Sequence, residues 1–96
     1  MYGTVARMRI RPDSEQEFAR IVNEIEGIKA PGQLAVYVYK MDSTPHEYYM
    51  AVLFENRDAY HANARSPEQH QRFLKLMSVL EREPEWNDGE VVFAAI

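Results

Sequence analysis

Four strand-like segments with apolar side chains on both faces constrain the fold of this chain more than any other feature. Each segment alternates with a period of two residues, which is typical of a β-strand. The segments span residues 2–11, 34–41, 47–54 and 90–96. In the second segment, for example, Val36 lies on one face and Tyr37 on the other. A sheet built from such strands needs a covering layer on each side, because large apolar patches are rarely left exposed to water.

A capping box and an apolar stripe predict the first helix. Asp13 or Ser14 can cap this helix. Ser14 and Glu17 have the spacing of a capping box, which satisfies free backbone N–H groups at a helix start. Apolar residues follow at i, i+3, i+4 and i+7, and these are Phe18, Ile21, Val22 and Ile25. The stripe predicts an amphipathic helix that ends near Gly27.

The second helical region is predicted as a short helix followed by a long one. Asn56 or Asp58 caps the short helix, which continues to about Ala64. Ser66 caps the long helix, a proline occupies its first position, and Pro84 ends it. The stripe of the long helix consists of His70, Phe73, Leu74, Met77 and Leu80.

The predicted order of elements is β-α-β-β-α-β, with residues 86–89 as a turn before the last strand. This order is typical of an α+β, ferredoxin-like fold with an antiparallel four-stranded sheet, here a single domain over residues 1–96. Helices cover one face of such a sheet. We therefore expect a homodimer that packs the two uncovered sheet faces together. The alternative is a monomer with scattered surface tyrosines.

Composition and charge exclude several classes of protein. The 96 residues are 46% hydrophobic and 27% charged, as in an ordinary folded domain. Eleven Lys and Arg against fifteen Asp and Glu give a net charge of −4, which argues against nucleic acid as a partner. The absence of cysteine excludes a disulfide framework and a thiol nucleophile. Apolar runs are too short to span a membrane and the first residues lack a secretory pattern, so we expect a cytoplasmic protein with no membrane partner.

The segment YYMAVLFENRDAYHANARSPEQHQRF carries the densest similarity to a known family. It contains a strand that ends in Phe-Glu, an aromatic residue at Tyr60, and a Ser-Pro-Glu sequence followed by His70. The opening YGTVARMRIRP and the closing EWNDGEVV are similar as well. With these features the chain resembles the antibiotic biosynthesis monooxygenase (ABM) family of dimeric α+β barrel proteins.

The resemblance implies a dimer in which each subunit holds a small-molecule pocket between its sheet and its helices. Related proteins oxygenate aromatic polyketides, quinols or other electron-rich molecules without flavin, metal or haem. The implied activity is therefore that of a cofactor-independent monooxygenase with no metal site. Such chemistry needs a base, donors for a developing oxyanion and a cavity that excludes water.

Two departures from the family pattern limit what the resemblance implies. Many relatives have a histidine where this chain has Asn63, and the histidine here is shifted to His61. Haem-degrading relatives use a tryptophan beside the porphyrin, but the single tryptophan here, Trp86, precedes the last predicted strand. We therefore do not expect haem degradation.

His70 is the candidate catalytic base, because it lies on the apolar stripe and an imidazole pKa of about 6.5 suits proton transfer near neutrality. The alternative is a buried, neutral histidine bonded to a tyrosine or a carbonyl group. His46 and His61 are expected at the surface, and no histidine or carboxylate spacing predicts a metal site.

The candidate substrate-binding residues are Arg7, Tyr37, Tyr49 and Asn63. Each has a structural alternative: the arginine pairs with neighbouring carboxylates, the tyrosines pack, and the asparagine caps its helix. Two other functions stay open, because shared architecture does not determine activity. One is a non-catalytic or stress-associated module that sequesters a ligand, and the other is a purely structural dimerisation domain.

Overall fold

The computed structural model describes residues 1–26 and 29–95, and these form one sheet and three helices. In chain order the elements are β1 (Tyr2–Arg9), α1 (Glu15–Glu26), β2 (Gln33–Lys40), β3 (Glu47–Phe54), α2 (Arg57–Ala64), α3 (Pro67–Met77) and β4 (Glu85–Glu90). The predicted α+β, ferredoxin-like fold is confirmed, and so is the division of the second helical region into two helices.

The four strands pair antiparallel in the order β2-β3-β1-β4. In the central strand β1, Ala6 lies between Met50 of β3 and Trp86 of β4. Because side chains alternate along a strand, Thr4, Ala6 and Met8 share the helix-covered face, and all three are buried. The sheet therefore separates a helix-covered face from an open face.

The core joins α1 and α3 to the helix-covered face of the sheet. It consists of Met8, Ile10, Phe18, Ile21, Tyr48, Leu76, Val79 and Leu80. The ring centroids of Phe18 and Tyr48 are 4.9 Å apart, so α1 packs directly against β3. Apolar burial of this kind is the main force that holds helices onto a sheet.

Side-chain caps fix the starts of α2 and α3 as predicted. Asn56 accepts a hydrogen bond from the backbone N–H of Ala59 at 2.8 Å, and Ser66 accepts one from Gln69 at 3.1 Å. Asn56 rather than Asp58 is thus the cap of α2. At α1 the backbone carbonyl of Ser14 accepts the first helical hydrogen bond, from Phe18 at 2.9 Å, and its hydroxyl donates to the carboxylate of Asp13 at 3.3 Å. Among the described contacts, no side-chain hydrogen bond completes the predicted capping box of Ser14 and Glu17.

The predicted fourth strand and the turn before it were wrong. The residues predicted as a turn lie within β4, where Trp86 pairs with Ala6 and Gly89 pairs with Gly3. Pairing with β1 outweighs the local turn preference of Asn-Asp-Gly, because strand formation depends strongly on tertiary context. Residues 91–95 follow the strand, with Val92 90% and Phe93 83% exposed, and position 96 lies outside the described residues.

The end of α3 also differs from its prediction. The helix ends at Met77 rather than at Pro84, and the chain then turns so that Val79 and Leu80 enter the core. Leu80 forms an isolated β-bridge with Ile10, which extends β1 beyond its last regular residue. On the helix itself Leu76 is buried and Leu74, predicted on the stripe, is half exposed. The predicted end of α1 at Gly27 lies outside the described residues.

The open face of the sheet carries exposed apolar side chains, as the alternation predicted. Tyr37 and Tyr39 of β2 are 55% and 54% exposed, and Val5 of β1 is 48% exposed. Within the described ranges, no helix is long and apolar enough to cross a bilayer.

Candidate functional site

A cavity of about 390 Å³ lies between the helix-covered face of the sheet and the helices α2 and α3. Its floor includes Thr4, Met50 and Trp86 from three adjacent strands, and its walls include His61 and His70. The strand register explains this floor. Met50 and Trp86 lie on either side of the small, fully buried Ala6. The small residue at position 6 leaves open space between larger neighbours.

Aromatic rings form one wall of the cavity. The ring centroids of Phe73 and Trp86 are 6.3 Å apart, with planes inclined by 39°. Tyr60 packs edge-on against Tyr2 and Phe54, at centroid distances of 5.3 and 5.7 Å. Flat apolar surfaces of this type suit a planar ring, because aromatic pairs prefer offset or edge-to-face contact.

Tyr60 and Asp88 form a polar pair at one end of the cavity. The Tyr60 hydroxyl donates to Oδ1 of Asp88 at 2.8 Å. Burial, followed by this hydrogen bond, raises the pKa of Tyr60 to about 12, so its phenol stays protonated near neutrality. The hydroxyl of Thr4 is buried beside Tyr60, and its proximity acts to lower the pKa of that phenol. Among the described residues, the Thr4 hydroxyl has no hydrogen-bond partner.

Two histidines line the cavity, one predicted and one missed. His70 of α3 lines the cavity but is exposed to solvent, although its place on the apolar stripe predicted that it would point toward the sheet rather than into water. His61 of α2 was expected at the surface but is half-buried, with its ring centroid 5.8 Å from Tyr2 and 5.4 Å from Tyr60. His46 lies elsewhere, with Nδ1 2.5 Å from the carboxylate of Glu15.

Asn63 also lines the cavity, on the same short helix as His61. The predicted alternative was that Asn63 caps its helix. Its backbone carbonyl accepts a hydrogen bond from Ser66 at 3.0 Å, and its side-chain amide takes no part in that contact. The amide can therefore donate to a ligand in the cavity.

The other three predicted binding residues lie on the open face of the sheet, away from the cavity. Arg7 donates to Glu47 at 2.7 Å and to Glu85 at 3.3 Å, which is the ion pairing given as its alternative. The Arg7 hydrogen bond lowers the pKa of Glu47 below its usual value. Tyr49 pairs with Arg7 in the strand register, and Tyr37 is on the adjacent strand β2. The structure thus brings His70 and Asn63 together but places Arg7, Tyr37 and Tyr49 elsewhere.

Sequence reasoning missed the cavity residues Thr4, His61 and Asp88. Asp88 was hidden by the wrong assignment of residues 86–89 to a turn. The sequence held a signal for His61. It lies on the short helix α2, directly after Tyr60, the aromatic residue that carries part of the family resemblance. Across residues 1–26 and 29–95, no group of three or more histidine and carboxylate side chains has the arrangement of a metal site.

The fold is similar to several solved structures. One is a conserved protein from Methanosarcina mazei Go1, with 23% identity, 92% of this chain and 89% of that chain covered, and a TM-score of 0.80. Another is SnoaB, a cofactor-independent oxygenase from Streptomyces nogalater, with 13% identity, 97% and 94% covered, and a TM-score of 0.82. A candidate antibiotic biosynthesis monooxygenase from Caulobacter crescentus CB15 has 16% identity, 96% and 90% covered, and a TM-score of 0.84.

At these identities the similarity establishes the fold, and the family comes from a separate sequence comparison. No curated protein matches the chain in sequence. A sequence model of the antibiotic biosynthesis monooxygenase family matches residues 1–76. That match spans 76 of the 96 residues and includes β1, both helices α1 and α2, and nearly all of α3. The chain therefore belongs to the antibiotic biosynthesis monooxygenase family.

Proposed function

We propose that this protein is a cofactor-independent monooxygenase that oxidises a small aromatic or quinol-like compound. The observation that supports this most is the cavity of about 390 Å³, in which an aromatic wall faces two imidazoles and an amide. Family membership and the fold shared with SnoaB, a cofactor-independent oxygenase, favour the same class of reaction.

Oxygenation without a cofactor requires a substrate that can itself donate electrons to dioxygen. A base removes a proton from an acidic CH₂ group, and the electron pair stays on the substrate. The anion reduces dioxygen and a C–O bond forms. The O–O bond then breaks, so that one oxygen atom remains as a carbonyl group and the other leaves as water. In sum, CH₂ and O₂ give C=O and H₂O, and no external reductant is consumed.

His70 is the base that this geometry favours. Its ring lines the cavity and also reaches solvent, so a proton taken from the substrate can pass on to water. The ring of His61 is packed against Tyr2 and Tyr60 and is the second candidate. Asn63 supplies an amide donor for the substrate oxygen, whereas Tyr60 stays protonated and acts as a donor only.

Oxygen uptake with an anthrone as substrate tests this proposal. We expect His70→Gln to lower kcat by at least about 100-fold, because general-base catalysis contributes on that order. His61→Gln is expected to have a smaller effect. His46→Gln is the matched control, since its imidazole contacts Glu15 outside the cavity.

Two results would count against the oxygenase. One is oxygen uptake no faster than in buffer, and the other is a His70→Gln variant as active as the parent. Tight binding of the anthrone with no oxygen uptake would favour the alternative function, a module that sequesters its ligand.

The functional unit that we propose is a homodimer formed through the open face of the sheet. Half-exposed apolar side chains, among them Val5, Tyr37 and Tyr39, lie on that face. Arg7 on that face forms ion pairs with Glu47 and Glu85, so its own charge is already paired within the chain. Covering this face leaves the cavity on the opposite side accessible.

A further inference from the structure

A narrow cleft of about 80 Å³ continues the cavity toward α1. We call it the inner cleft, and Phe18, Val22 and Ile25 of α1 form its far side. The residues that line both spaces are Met50, Val52, Asn63, Gln69, Phe73 and Trp86. A ligand stacked on Trp86 can therefore reach from the cavity into the inner cleft.

The charged side chains of this combined space stand apart from each other. Asp88 lines the cavity but not the inner cleft, and Arg72 lines the inner cleft but not the cavity. Among the described wall residues of the two spaces, Arg72 is the only lysine or arginine. Within the two spaces, positive charge therefore lies at the inner end, next to apolar side chains of α1. Arg72 also lines a separate open pocket, beside Glu68.

The guanidinium group of Arg72 is held in place by a neutral partner. Its Nη1 donates to Oε1 of Gln69, one turn earlier on α3, at 3.2 Å, and the side chain is half-buried. Arg7, Arg9 and Arg20 each contact a carboxylate, whereas Arg72 shares with the remaining arginines the lack of such a contact among the described side chains. Among the carboxylates whose side chains the structure describes, which excludes Glu26, none lies within ion-pair distance of Arg72. Most of its five N–H donors are available to a ligand.

We propose that Arg72 binds the oxyanion of a deprotonated phenol or enol substrate at the inner end of the cavity. This inference rests on the proposed function, which places negative charge on the substrate before dioxygen reacts. An apolar cleft disfavours such a charge unless a cation and hydrogen-bond donors meet it. For the CH₂ substrate of the proposed reaction, the C–H bond breaks, the proton leaves to a base, and the electron pair delocalises onto the carbonyl oxygen that faces Arg72. For a phenol the O–H bond breaks instead, and the electron pair stays on that oxygen. The oxygen that carries the negative charge therefore enters the inner cleft first, and the outer ring of the substrate lies against Trp86 and Phe73.

The ionisation of 4-nitrophenol bound without oxygen tests Arg72 separately from turnover. The yellow phenolate is followed by absorbance in a pH titration at saturating protein. We expect the protein to favour the phenolate, which lowers the apparent pKa of the probe. Arg72→Gln should weaken phenolate binding by about tenfold or more, the usual effect of losing a charge-assisted hydrogen bond. Arg72→Lys should restore part of that preference.

Lys75→Gln is the matched control, because it removes the same charge from the same helix but at an exposed position paired with Glu24 at 3.5 Å. Circular dichroism checks that each variant folds. Equal phenolate preference in the parent and Arg72→Gln would overturn the inference, and so would failure of the folded parent to bind the phenolate.

The two proposals fail in different ways. Phenolate binding that depends on Arg72, without oxygen uptake from any anthrone, would support the oxyanion site and remove the oxygenase. Oxygen uptake that depends on His70, with both oxygen uptake and phenolate binding unchanged in Arg72→Gln, would support the oxygenase and contradict the oxyanion site.

Discussion

Tyr60 shows at the residue scale how the cavity separates proton donors from proton acceptors. Burial is the largest cause of its raised pKa, and the hydrogen bond to Asp88 comes second. A phenol with a pKa of about 12 cannot serve as a base near neutrality. The candidate base is therefore an imidazole, and the phenol is left to hold Asp88 or to donate to the substrate.

We expect Asp88→Asn to lower the pKa of Tyr60 without returning it to the ordinary value of about 10. The substitution removes a negative charge and weakens an acceptor, whereas burial, the larger cause, remains. NMR titration with tyrosines labelled at the carbon that bears the hydroxyl measures this directly, and Tyr60→Phe assigns the signal. An unchanged Tyr60 pKa in Asp88→Asn would contradict the account of the pair.

At the element scale, α1 is tied to the β2–β3 hairpin through one carboxylate. Glu15, the first residue of α1, contacts Nδ1 of His46 at 2.5 Å and accepts hydrogen bonds from Lys40 at 3.2 Å and Tyr48 at 3.1 Å. These contacts, that of His46 first, lower the pKa of Glu15 in the folded protein. His46 has a positive φ of 65°, a backbone conformation that is unusual outside glycine.

The lowered pKa of Glu15 predicts a loss of stability in acid. A carboxylate whose pKa falls on folding stabilises the fold above its unfolded pKa of about 4.3, and this contribution disappears as the pH falls through the folded value. Urea unfolding between about pH 5 and pH 3 should therefore show a steeper loss for the parent than for Glu15→Gln. Glu83→Gln, at an exposed position, is the control. If the stability of the parent and of Glu15→Gln fell equally with pH, the contribution of Glu15 to stability would be refuted.

The helix starts with a side-chain cap and the strands with a clear period of two were predictable from sequence, whereas a strand that carries a local turn signal was not. The caps of α2 and α3 follow from single side chains, Asn56 and Ser66, which bond to backbone three residues away. Strand β4 depends on partners about 80 residues earlier in β1, so its local turn signal misled the prediction. Because Asp88 lies in that strand, the error also hid one member of the cavity.

At the scale of the whole molecule, the open face of the sheet is not covered by the described helices of the chain, and its apolar side chains are half exposed. A specific dimer buries about 800 Å² on each partner. Alternation along β1 and β2 predicted this face from sequence, and a second copy of the chain remains the predicted partner that covers it. By contrast, the cavity became visible only once the register placed Ala6 between Met50 and Trp86.

Sedimentation velocity at micromolar concentration tests the dimer. We expect twice the mass of one chain for the parent and the mass of one chain for Tyr37→Glu, because a buried carboxylate opposes association. Leu74→Glu is the matched control, since Leu74 is half exposed on α3, outside the sheet. A parent that sediments as a single chain would contradict the proposed assembly.

Mass spectrometry of the product formed under isotopically labelled dioxygen tests the central claim, that the helix-side cavity oxygenates an aromatic substrate, most directly. With an anthrone as substrate, we predict a quinone that carries one labelled oxygen atom, formed much faster with the parent than with His70→Gln or in buffer. A product that forms at the buffer rate, or that carries no label, would contradict the account.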